Sequence, residues 1–495
     1  MPASKFDRRA FLMATSGLAL CGLGAPCEAG AARNAVLPIG WNATLADIHR
    51  RTFNFFWETT KPETGLTPDR WPTLTFCSIA AVGFALTAYC IGVRCGYVSR
   101  ESAAQRVVTT LRTFWNGPQG EGETGFTGYK GFFYHFLNFG DATRYARCEL
   151  SNVDTTMFLL GALTAAAYFN GTAPVEAEIR HLAQALYERV DWTFFERDSG
   201  LLNMGWTPES GYNPADWTGY DEGMMIYLLA LASPTHPLQP KSWAAWCATY
   251  DQTWGPNFGK PHLGFGPTLG HQYPQVWYDL RGIADAYMRG RHSDYFTNSR
   301  LASVAQRNYA IRNPRHFADY GADIWGLTAC DGPADVKLKL REREVLFHTY
   351  VARGPSQSDP DMIDDGTIAP TAAISSIVFA PEICIPAARA MLAKYGADIY
   401  GRHGFFDSFN PTFRTDYPST SGHRTKRAGW VSNDYIGIDQ GPILAMLENY
   451  RTGFIWKLLR QDTYVGAIVK RGLLQAGFEP IAPRGDWLKR GHNDP

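Results

Sequence analysis

The chain has 495 residues, with 47 basic and 47 acidic side chains and a formal net charge of zero at pH 7. Without a net charge there is no global field to attract nucleic acid or an anionic membrane, so we expect neither as a partner. The 15 Trp, 24 Tyr and 29 Phe exceed the usual needs of packing. Aromatic faces stack on sugar rings, although most of these rings are expected in the core.

The N-terminus predicts an export signal. Paired arginines at 8–9 precede a weakly apolar run, 11–25, and small residues at 29–31 suit a signal peptidase. This pattern predicts a twin-arginine signal peptide over 1–31 and a mature chain over 32–495. The run is too short to span a membrane convincingly, and no later segment has about 18 uninterrupted apolar residues. We therefore expect a periplasmic or secreted protein without stable membrane insertion.

Several common chemistries lack their motifs. The seven cysteines after the leader are odd in number and have no CxxC spacing, which argues against a disulfide framework and a structural zinc site but leaves room for one disulfide pair. No Gly-rich phosphate loop follows a strand, and no G-x-S-x-G elbow is present. We therefore expect no cofactor and no metal, and neither nucleotide chemistry nor serine hydrolysis.

Helical patterns dominate the chain. Apolar residues recur at helical spacing in nine segments: 75–92, 101–115, 152–169, 175–195, 222–232, 275–290, 299–311, 371–395 and 440–458. Alternating strand patterns are scarce, so the fold is predicted to be mainly α, with short hairpins at most. Helices paired in sequence, without a charged or Pro/Ser-rich linker, indicate a single domain. A toroid of two concentric helical layers, an (α/α) barrel, satisfies this pattern, and its long loops would form a central cleft.

Segment 331–369 fits this pattern least. It contains a charged, helix-like piece, 336–344, followed by a polar stretch, 356–361. We expect either an excursion over the cleft or a surface loop, with the surface loop slightly favoured.

Two adjacent acids, Asp221 and Glu222, stand where an aromatic loop becomes an apolar helix. An acid held at such a junction can be desolvated, which raises its pKa toward the value that a proton donor needs. Glu222 is therefore the first catalytic candidate. The alternative is that both acids only complement the positive end of the helix dipole.

Asp407 lies among aromatic neighbours in the segment 405–411. Such a setting can direct one carboxylate at a water molecule, which makes Asp407 the second catalytic candidate. Alternatively, Asp407 closes a turn before Pro411.

A further set of polar and aromatic residues combines hydrogen-bonding groups with stacking rings, as a pyranose site does. For Asp154 and Asp439, which stand near helix starts, capping is the alternative. In the segment 270–282, a sugar-binding role is favoured for His271 and Gln272. The residues predicted to bind substrate are Glu149, Asp154, Tyr220, His271, Gln272, Tyr273, Trp277 and Asp439. Carboxyl groups among aromatic rings are the equipment of glycoside hydrolysis, in which one acid protonates the leaving oxygen and a second carboxylate is base or nucleophile.

Segments spread in order over about residues 45–480 resemble a glucoamylase-like bacterial family that includes β-1,2-glucanases, similar to glycoside hydrolase family 144, and a domain of cyclic β-1,2-glucan synthases. They are 149–155, 220–225 with 233–237, 270–273, 325–333, 370–373, 379–382, 404–411 and 437–442. The resemblance implies an (α/α)6 barrel and a metal-independent hydrolase. It implies cleavage of linear β-1,2-glucan with inversion and release of short sophoro-oligosaccharides.

The same resemblance places the general acid on Glu222 and the general base on Asp407, with Asp439 as the alternative base. The family more often has Asn where Asp221 stands and Ser where Cys330 stands. A carboxyl beside the acid raises its pKa further or alters the subsite. The rival functions are a transglycosylase, a hydrolase of another glucan and, less favoured, a non-catalytic glycan-binding protein. The sequence does not indicate endo or exo attack or the oligomeric state.

Overall fold

The structure, a computed structural model, describes residues 40–340, 343–355 and 362–481. The predicted signal peptide, 1–31, lies outside the described residues. The α-helices in the described part are α1 (Ala43–Thr59), α2 (Ile79–Arg94), α3 (Arg100–Asn116), α4 (Asn152–Tyr168), α5 (Pro174–Glu188), α6 (Met224–Leu231), α7 (Pro240–Cys247), α8 (Tyr250–Thr253), α9 (Leu269–Trp277), α10 (Ala286–Gly290), α11 (Tyr295–Arg312), α12 (Pro370–Ile374), α13 (Pro381–Ile399), α14 (Gly437–Thr452), α15 (Phe454–Gln461) and α16 (Thr463–Gln475).

The strands are short and pair in an antiparallel manner between the helices. They are β1 (Arg70–Trp71), β2 (Cys77–Ser78), β3 (Gly128–Tyr129), β4 (Phe132–Tyr134), β5 (Phe136–Leu137), β6 (Leu150–Ser151), β7 (Leu202–Asn203), β8 (Trp206–Thr207), β9 (Gly211–Tyr212), β10 (Asp216–Trp217), β11 (Trp254–Gly255), β12 (His262–Leu263), β13 (Ile283–Ala284), β14 (Ala329–Cys330), β15 (Val336–Leu340), β16 (Arg343–Phe347), β17 (Val351–Ala352), β18 (Tyr400–Gly401), β19 (Gly404–Phe405), β20 (Phe409–Asn410), β21 (His423–Thr425), β22 (Gly429–Val431), β23 (Tyr435–Ile436) and β24 (Glu479–Pro480). The largest sheet has the order β3-β4-β6-β8-β9, and β1 pairs with β23 in the register Arg70 to Ile436.

Twelve of the helices fall into two classes that differ in burial. One class, α2, α4, α6, α9, α12 and α14, buries most of its residues on every side. The other class, α1, α3, α5, α11, α13 and α16, buries one face and exposes the other. A helix that is buried all round belongs to an inner layer, and a helix with one buried face covers it. The prediction of a mainly α fold is confirmed.

The packing of α2 against α4 is the most extensive between any two helices in the described part of the chain. The two backbones touch at Gly83 and Gly161. A Cβ on Gly83 would lie 2.2 Å from the carbonyl oxygen of Met157, and a Cβ on Gly161 would lie 2.1 Å from the carbonyl oxygen of Gly83. Only glycine fits at both positions. The main hydrophobic core built on this contact runs from Leu45 to Phe478.

Several predicted helices are shorter than their apolar patterns. The pattern at 275–290 corresponds to the end of α9 and to α10, with a β-strand between them. The pattern at 440–458 breaks at Gly453, whose φ of +65° ends α14 and starts α15. Helices α1 and α16 were not predicted.

The prediction of a helix-like piece at 336–344 is wrong. Residues 336–340 and 343–347 form the hairpin β15–β16 in the register Val336 to Phe347. Lys337 and Lys339 are exposed, whereas Val336, Leu338 and Leu340 pack against a small core around Phe317. The alternation has period two, which is the period of a strand and not of a helix.

A buried ionic network joins α1, α2 and α14. Glu448, whose side chain is fully buried, accepts hydrogen bonds from Arg451 Nε at 2.8 Å and Arg94 Nε at 3.3 Å, and its Oε2 lies 3.3 Å from His49 Nε2. Burial on its own would raise the pKa of Glu448, but the contacts with His49 and Arg451 lower it to about 2. Within the described residues, no helix is long and apolar enough to cross a bilayer.

Candidate active site

A cavity of about 260 Å³ lies where five of the inner-layer helices begin. Its lining includes Ser78 before α2, Asp154 in α4, Glu222 before α6, Tyr273 in α9 and Ile438 in α14. The cavity therefore lies at the N-terminal ends of the inner helices, where loops from distant parts of the sequence meet.

The sequence left open whether Asp221 and Glu222 act at the helix start or in catalysis, and the structure places the two residues differently. Asp221 is 8% exposed, and its Oδ1 accepts the Gly223 N–H at 2.8 Å, so Asp221 orders the turn that enters α6. Glu222 lines the cavity. Burial, followed by the neighbouring Glu222 charge, raises the pKa of Asp221 well above its usual value. The two carboxyl groups therefore resist carrying two negative charges at once.

A histidine that the sequence analysis did not select joins two predicted carboxylates. His135 Nδ1 lies 2.8 Å from Glu149 Oε1, and His135 Nε2 lies 3.5 Å from Asp154 Oδ2. All three residues line the cavity. Helix α4 is capped by Ser151, whose Oγ accepts the Asp154 N–H at 3.2 Å. Asp154 is thus not the capping residue: its Oδ2 accepts the Ser151 O–H at 2.5 Å, and the residue lines the cavity.

Asp407 lies between β19 and β20 and is 1% exposed. Its Oδ2 accepts the Asp331 N–H at 2.7 Å and the Ser408 O–H at 2.9 Å. Asp407 does not close the turn at Pro411, because Asn410 Oδ1 accepts the Thr412 and Phe413 N–H groups there. Burial, followed by the Asp331 charge, raises the pKa of Asp407 to about 7.

Asp439 lies in the first turn of α14, is 3% exposed, and makes no side-chain cap. Its carboxyl is a neighbour of that of Asp407, and the two act on each other. Burial, followed by the Asp407 charge, raises the pKa of Asp439 well above its usual value. The structure thus brings together two carboxyl groups that the sequence proposed separately.

Arg70 is the basic residue that contacts the group of acids around Asp407, which we call the carboxyl cluster. Its Nη1 donates to Asp331 Oδ2 at 2.9 Å, its Nε donates to Asp69 Oδ2 at 3.2 Å, and Asp434 Oδ2 lies 3.8 Å away. Arg70 and Asp69 line the cavity, whereas Asp407 is not among its lining residues. The carboxyl cluster therefore reaches the cavity through Arg70 and Asp69.

Aromatic rings form part of the wall. Phe76 contacts Phe136 and Tyr145 with ring centroids 4.2 and 4.8 Å apart, and all three line the cavity. Tyr350 also lines it, from the segment that follows hairpin β15–β16. The segment 331–369 therefore reaches the cleft, and the slightly favoured expectation of a surface loop is wrong.

Five residues predicted to bind substrate lie off the lining: Tyr220, His271, Gln272, Trp277 and Asp439. His271 Nδ1 lies 3.1 Å from the Tyr220 hydroxyl, and burial lowers the pKa of His271 to about 3, so the ring is neutral. Gln272 donates to the Ala372 carbonyl at 2.9 Å, and the Trp277 indole donates to Thr87. These contacts lie within the protein and favour a packing role. Tyr273 does line the cavity, and its hydroxyl donates to the Ile438 carbonyl.

The sequence analysis missed Arg70, Asp69 and His135 as site residues. A signal existed for the first two, because the segment 68–72 places an acid and an arginine between two prolines. The position of His135 depends on the pairing of β4 with β6, which brings it beside Glu149. No local sequence pattern predicts the contact between His135 and Glu149.

The model of the Glycoamylase family matches residues 214–463, about half of the chain. The chain belongs to this family. The matched stretch of this Glycoamylase-family chain includes Glu222, Asp407 and Asp439. The predicted resemblance to glucoamylase-like proteins that include β-1,2-glucanases is confirmed.

A curated relative is the exo β-1,2-glucooligosaccharide sophorohydrolase (non-reducing end) of Parabacteroides distasonis. It is 26% identical over 439 residues, which cover 83% of this chain and 55% of the relative. The Glycoamylase-family chain therefore spans about half the length of that relative.

Solved structures share the fold. A Bacteroides uniformis protein described as a "putative glucoamylase" is 28% identical, with a TM-score of 0.74 over 88% of this chain and 97% of the other. The endo-β-1,2-glucanase of Chitinophaga pinensis, solved with sophorotriose and glucose, is 24% identical, with a TM-score of 0.72 over 88% and 98%. At that identity the second likeness concerns the fold alone.

Proposed function

We propose that the chain is a glycoside hydrolase that cleaves β-1,2-glucan to short sophoro-oligosaccharides with inversion at the anomeric carbon. One observation carries the proposal: Glu222 and the Arg70 side of the carboxyl cluster that contains Asp407 line the same cavity. The curated relative that matches most of this chain is named for hydrolysis of β-1,2-glucooligosaccharides. That name supports the choice of linkage.

In this proposal Glu222 is the general acid. It must hold a proton at the working pH and deliver it to the glycosidic oxygen as the bond breaks. The neighbouring Asp221 supports this role, because two adjacent carboxyl groups in a buried turn retain a proton to higher pH than one exposed carboxyl does.

Asp407 is the proposed general base. A carboxylate whose pKa is about 7 is a stronger proton acceptor than an exposed aspartate and is still ionised in a large fraction of molecules near neutral pH. Asp407 does not line the cavity, which favours a proton path from the attacking water through a substrate hydroxyl or a second water. The attack of that water on the face opposite the leaving oxygen would invert the anomeric centre.

Substrate binding is proposed for the cavity wall. Glu149 and Asp154, oriented by His135, offer carboxylate oxygens to sugar hydroxyls, and Phe76 and Tyr145 offer ring faces.

We also propose that the inner helices close into an (α/α)6 barrel. Contacts run from α2 to α4, to α6 and to α9, and from α12 to α14 and back to α2. The remaining junction, α9 to α12, is bridged by Gln272, which donates to the Ala372 carbonyl and to Ser376 Oγ. These contacts support a closed ring around the cavity.

Export through a twin-arginine signal over 1–31 remains part of the proposal and gives a periplasmic or secreted enzyme. It rests on the sequence alone. Fractionation of cells that express the full chain, compared with an Arg8→Lys and Arg9→Lys double variant, tests it. Loss of the exported form in the variant is expected, and equal export of both forms would reject it.

The function is tested by incubating the protein with linear β-1,2-glucan and separating the products by chromatography, with β-1,3- and β-1,4-glucans as controls. We expect short β-1,2-oligosaccharides from the first substrate only. Anomer-resolved NMR at early times should show the α-anomer. An initial β-anomer would reject inversion, and an intact β-1,2-glucan would reject the proposed activity.

A further inference from the structure

The carboxyl cluster behind the cavity contains more acid than base. Five carboxyl groups, those of Asp69, Asp331, Asp407, Asp434 and Asp439, act on one another or on Arg70. Within the described residues, Arg70 is the cation in direct contact with them. Buried carboxylates that outnumber their cations take up protons, because like charges at short range in a low-dielectric site are costly.

Hydrogen bonding shows where a proton is needed. Asp407 Oδ1 and Asp439 Oδ2 are buried oxygens that meet no N–H or O–H donor among the described residues. The two carboxyl groups act on each other and are therefore neighbours. Neighbouring carboxyl groups can satisfy such oxygens only with a proton between them, because an ionised carboxylate only accepts. The pair must therefore hold at least one proton.

The surroundings also decide which of the two acids keeps the proton. Asp407 Oδ2 accepts the Asp331 N–H, which stabilises an ionised group, and it shares the Ser408 O–H with the Asp331 carbonyl. Asp439 has no such donor on Oδ2, and its helix is not capped by its side chain. Arg70 also acts on Asp407.

We propose that Asp439 remains a carboxylic acid and donates a hydrogen bond to Asp407, so that Asp407 is the ionised member of the pair. Asp439 is then a positioning residue that fixes the orientation and the ionisation of the base, and it is neither a second base nor a sugar ligand. This inference rests on the proposed role of Asp407. During turnover Asp407 would take up the proton of the attacking water, while Asp439 keeps its own.

Other titratable groups face the pair and enter any pH profile. Asp331 follows β14, Asp69 precedes β1, Arg70 lies in β1, and the Cys330 thiol comes from β14. Burial raises the pKa of the Cys330 thiol well above its usual value, so the thiol stays neutral. Asp407, whose pKa is about 7, changes its charge near neutral pH.

Two substitutions separate a neutral donor from an ionised group. Asp439→Asn keeps an N–H donor of nearly the same shape and carries no charge, so turnover of β-1,2-glucan should fall by less than about tenfold and the acidic limb of the kcat/KM profile should move by less than about half a pH unit. Asp439→Ala removes the donor, so the acidic limb should move upward by about one unit or more, with activity recovering as the pH rises.

The result that overturns the proposal is equally specific. If Asp439→Asn loses as much activity as Asp407→Asn, about 10²-fold or more, Asp439 acts as a carboxylate and the assignment is wrong. Since Asp439→Ala can disturb the fold, thermal unfolding of both variants is measured alongside, and the nearly isosteric Asp439→Asn decides alone if the alanine variant unfolds.

A measurement without turnover keeps this inference separate from the proposed function. Infrared difference spectra at about pH 8, one unit above the pKa of Asp407, should show a carboxylic-acid C=O band that disappears in Asp439→Asn. Loss of a carboxylate band instead would reject the inference. If the protein cleaves no glucan, this spectrum still tests the protonated pair.

Discussion

Two carboxyl clusters border one cavity, and they differ in the charge around them. The factors that act on Asp221 are burial, the Glu222 charge, the Gly223 N–H and the Trp246 indole, none of which is a cation. In the second cluster Asp331 is hydrogen-bonded to Arg70, which also acts on Asp407. Without a cation the first cluster therefore favours a retained proton, whereas in the second cluster Arg70 favours an ionised Asp407 beside the protonated Asp439.

The comparison is tested most strongly by Glu222→Gln. The amide cannot deliver a proton, so turnover of β-1,2-glucan should fall by about 10³–10⁴-fold, while oligosaccharide binding and the melting temperature stay near those of the wild type. Kinetics, calorimetric titration and thermal unfolding measure these quantities. Glu63→Gln, at an exposed position, is the matched control. Near-normal activity of Glu222→Gln would show that Glu222 is not the general acid.

Asp407→Asn tests the other cluster. Loss of the carboxylate removes the proton acceptor, so turnover should fall by about 10²–10³-fold with little change in KM. In the wild type the acidic limb of the pH profile should lie near the pKa of Asp407, about 7, because the base works only when ionised. Asp416→Asn, an exposed aspartate, is the control. A mild loss would move the role of base to Asp439.

Glu448 extends the comparison to a buried carboxyl that is surrounded by basic side chains. Glu448→Gln leaves Arg451 and His49 without their anion, so the free energy of unfolding should fall by about 3–5 kcal/mol. The pKa of Glu448 is about 2 in the folded protein, so its contribution is present above the unfolded value and is lost as the pH falls through the folded one. Denaturant titrations at several pH values measure this. A change under about 0.5 kcal/mol, the level of a surface substitution, would contradict it.

Asp221→Asn should have the smallest effect. Removing the neighbouring acid lets Glu222 lose its proton more readily, so the basic limb of kcat/KM should move downward by about one pH unit, with little change on the acidic side. The raised pKa of Asp221 also gives stability that is present below the unfolded pKa and is lost as the pH rises through the folded one. The variant should therefore gain stability relative to the wild type as the pH rises. An unchanged basic limb would show that the two acids are not coupled.

Local patterns were sufficient for part of the fold and part of the site. Continuous apolar runs predicted α2 and α4, and the junction of an aromatic loop with an apolar helix selected Glu222. The contact between Arg70 and Asp331 joins residues 261 positions apart, so no local pattern predicts it. It depends on the antiparallel pairing of β1 with β23 and on the positions of the loops.

One set of predicted sugar ligands lies off the cavity lining and one predicted helix is wrong, each for an identifiable physical reason. In the segment 270–282, polar side chains such as His271 were interpreted as sugar ligands, but their hydrogen bonds are made inside the protein. Polarity at a helix start does not distinguish a side chain that bonds to a ligand from one that bonds to a neighbouring helix. The hairpin β15–β16 was mistaken for a helix because short charged segments satisfy both periods.

The backbone contact of Gly83 with Gly161 has a mechanical consequence for the cavity. Helix α2 begins just after Ser78 and helix α4 contains Asp154, two residues on the cavity wall that lie about one and two turns from the glycines. Because the two backbones touch, the helix axes can approach no further, and a methyl group on either glycine would push them apart. The width of the cavity is therefore set inside the core, by two glycines that do not line it.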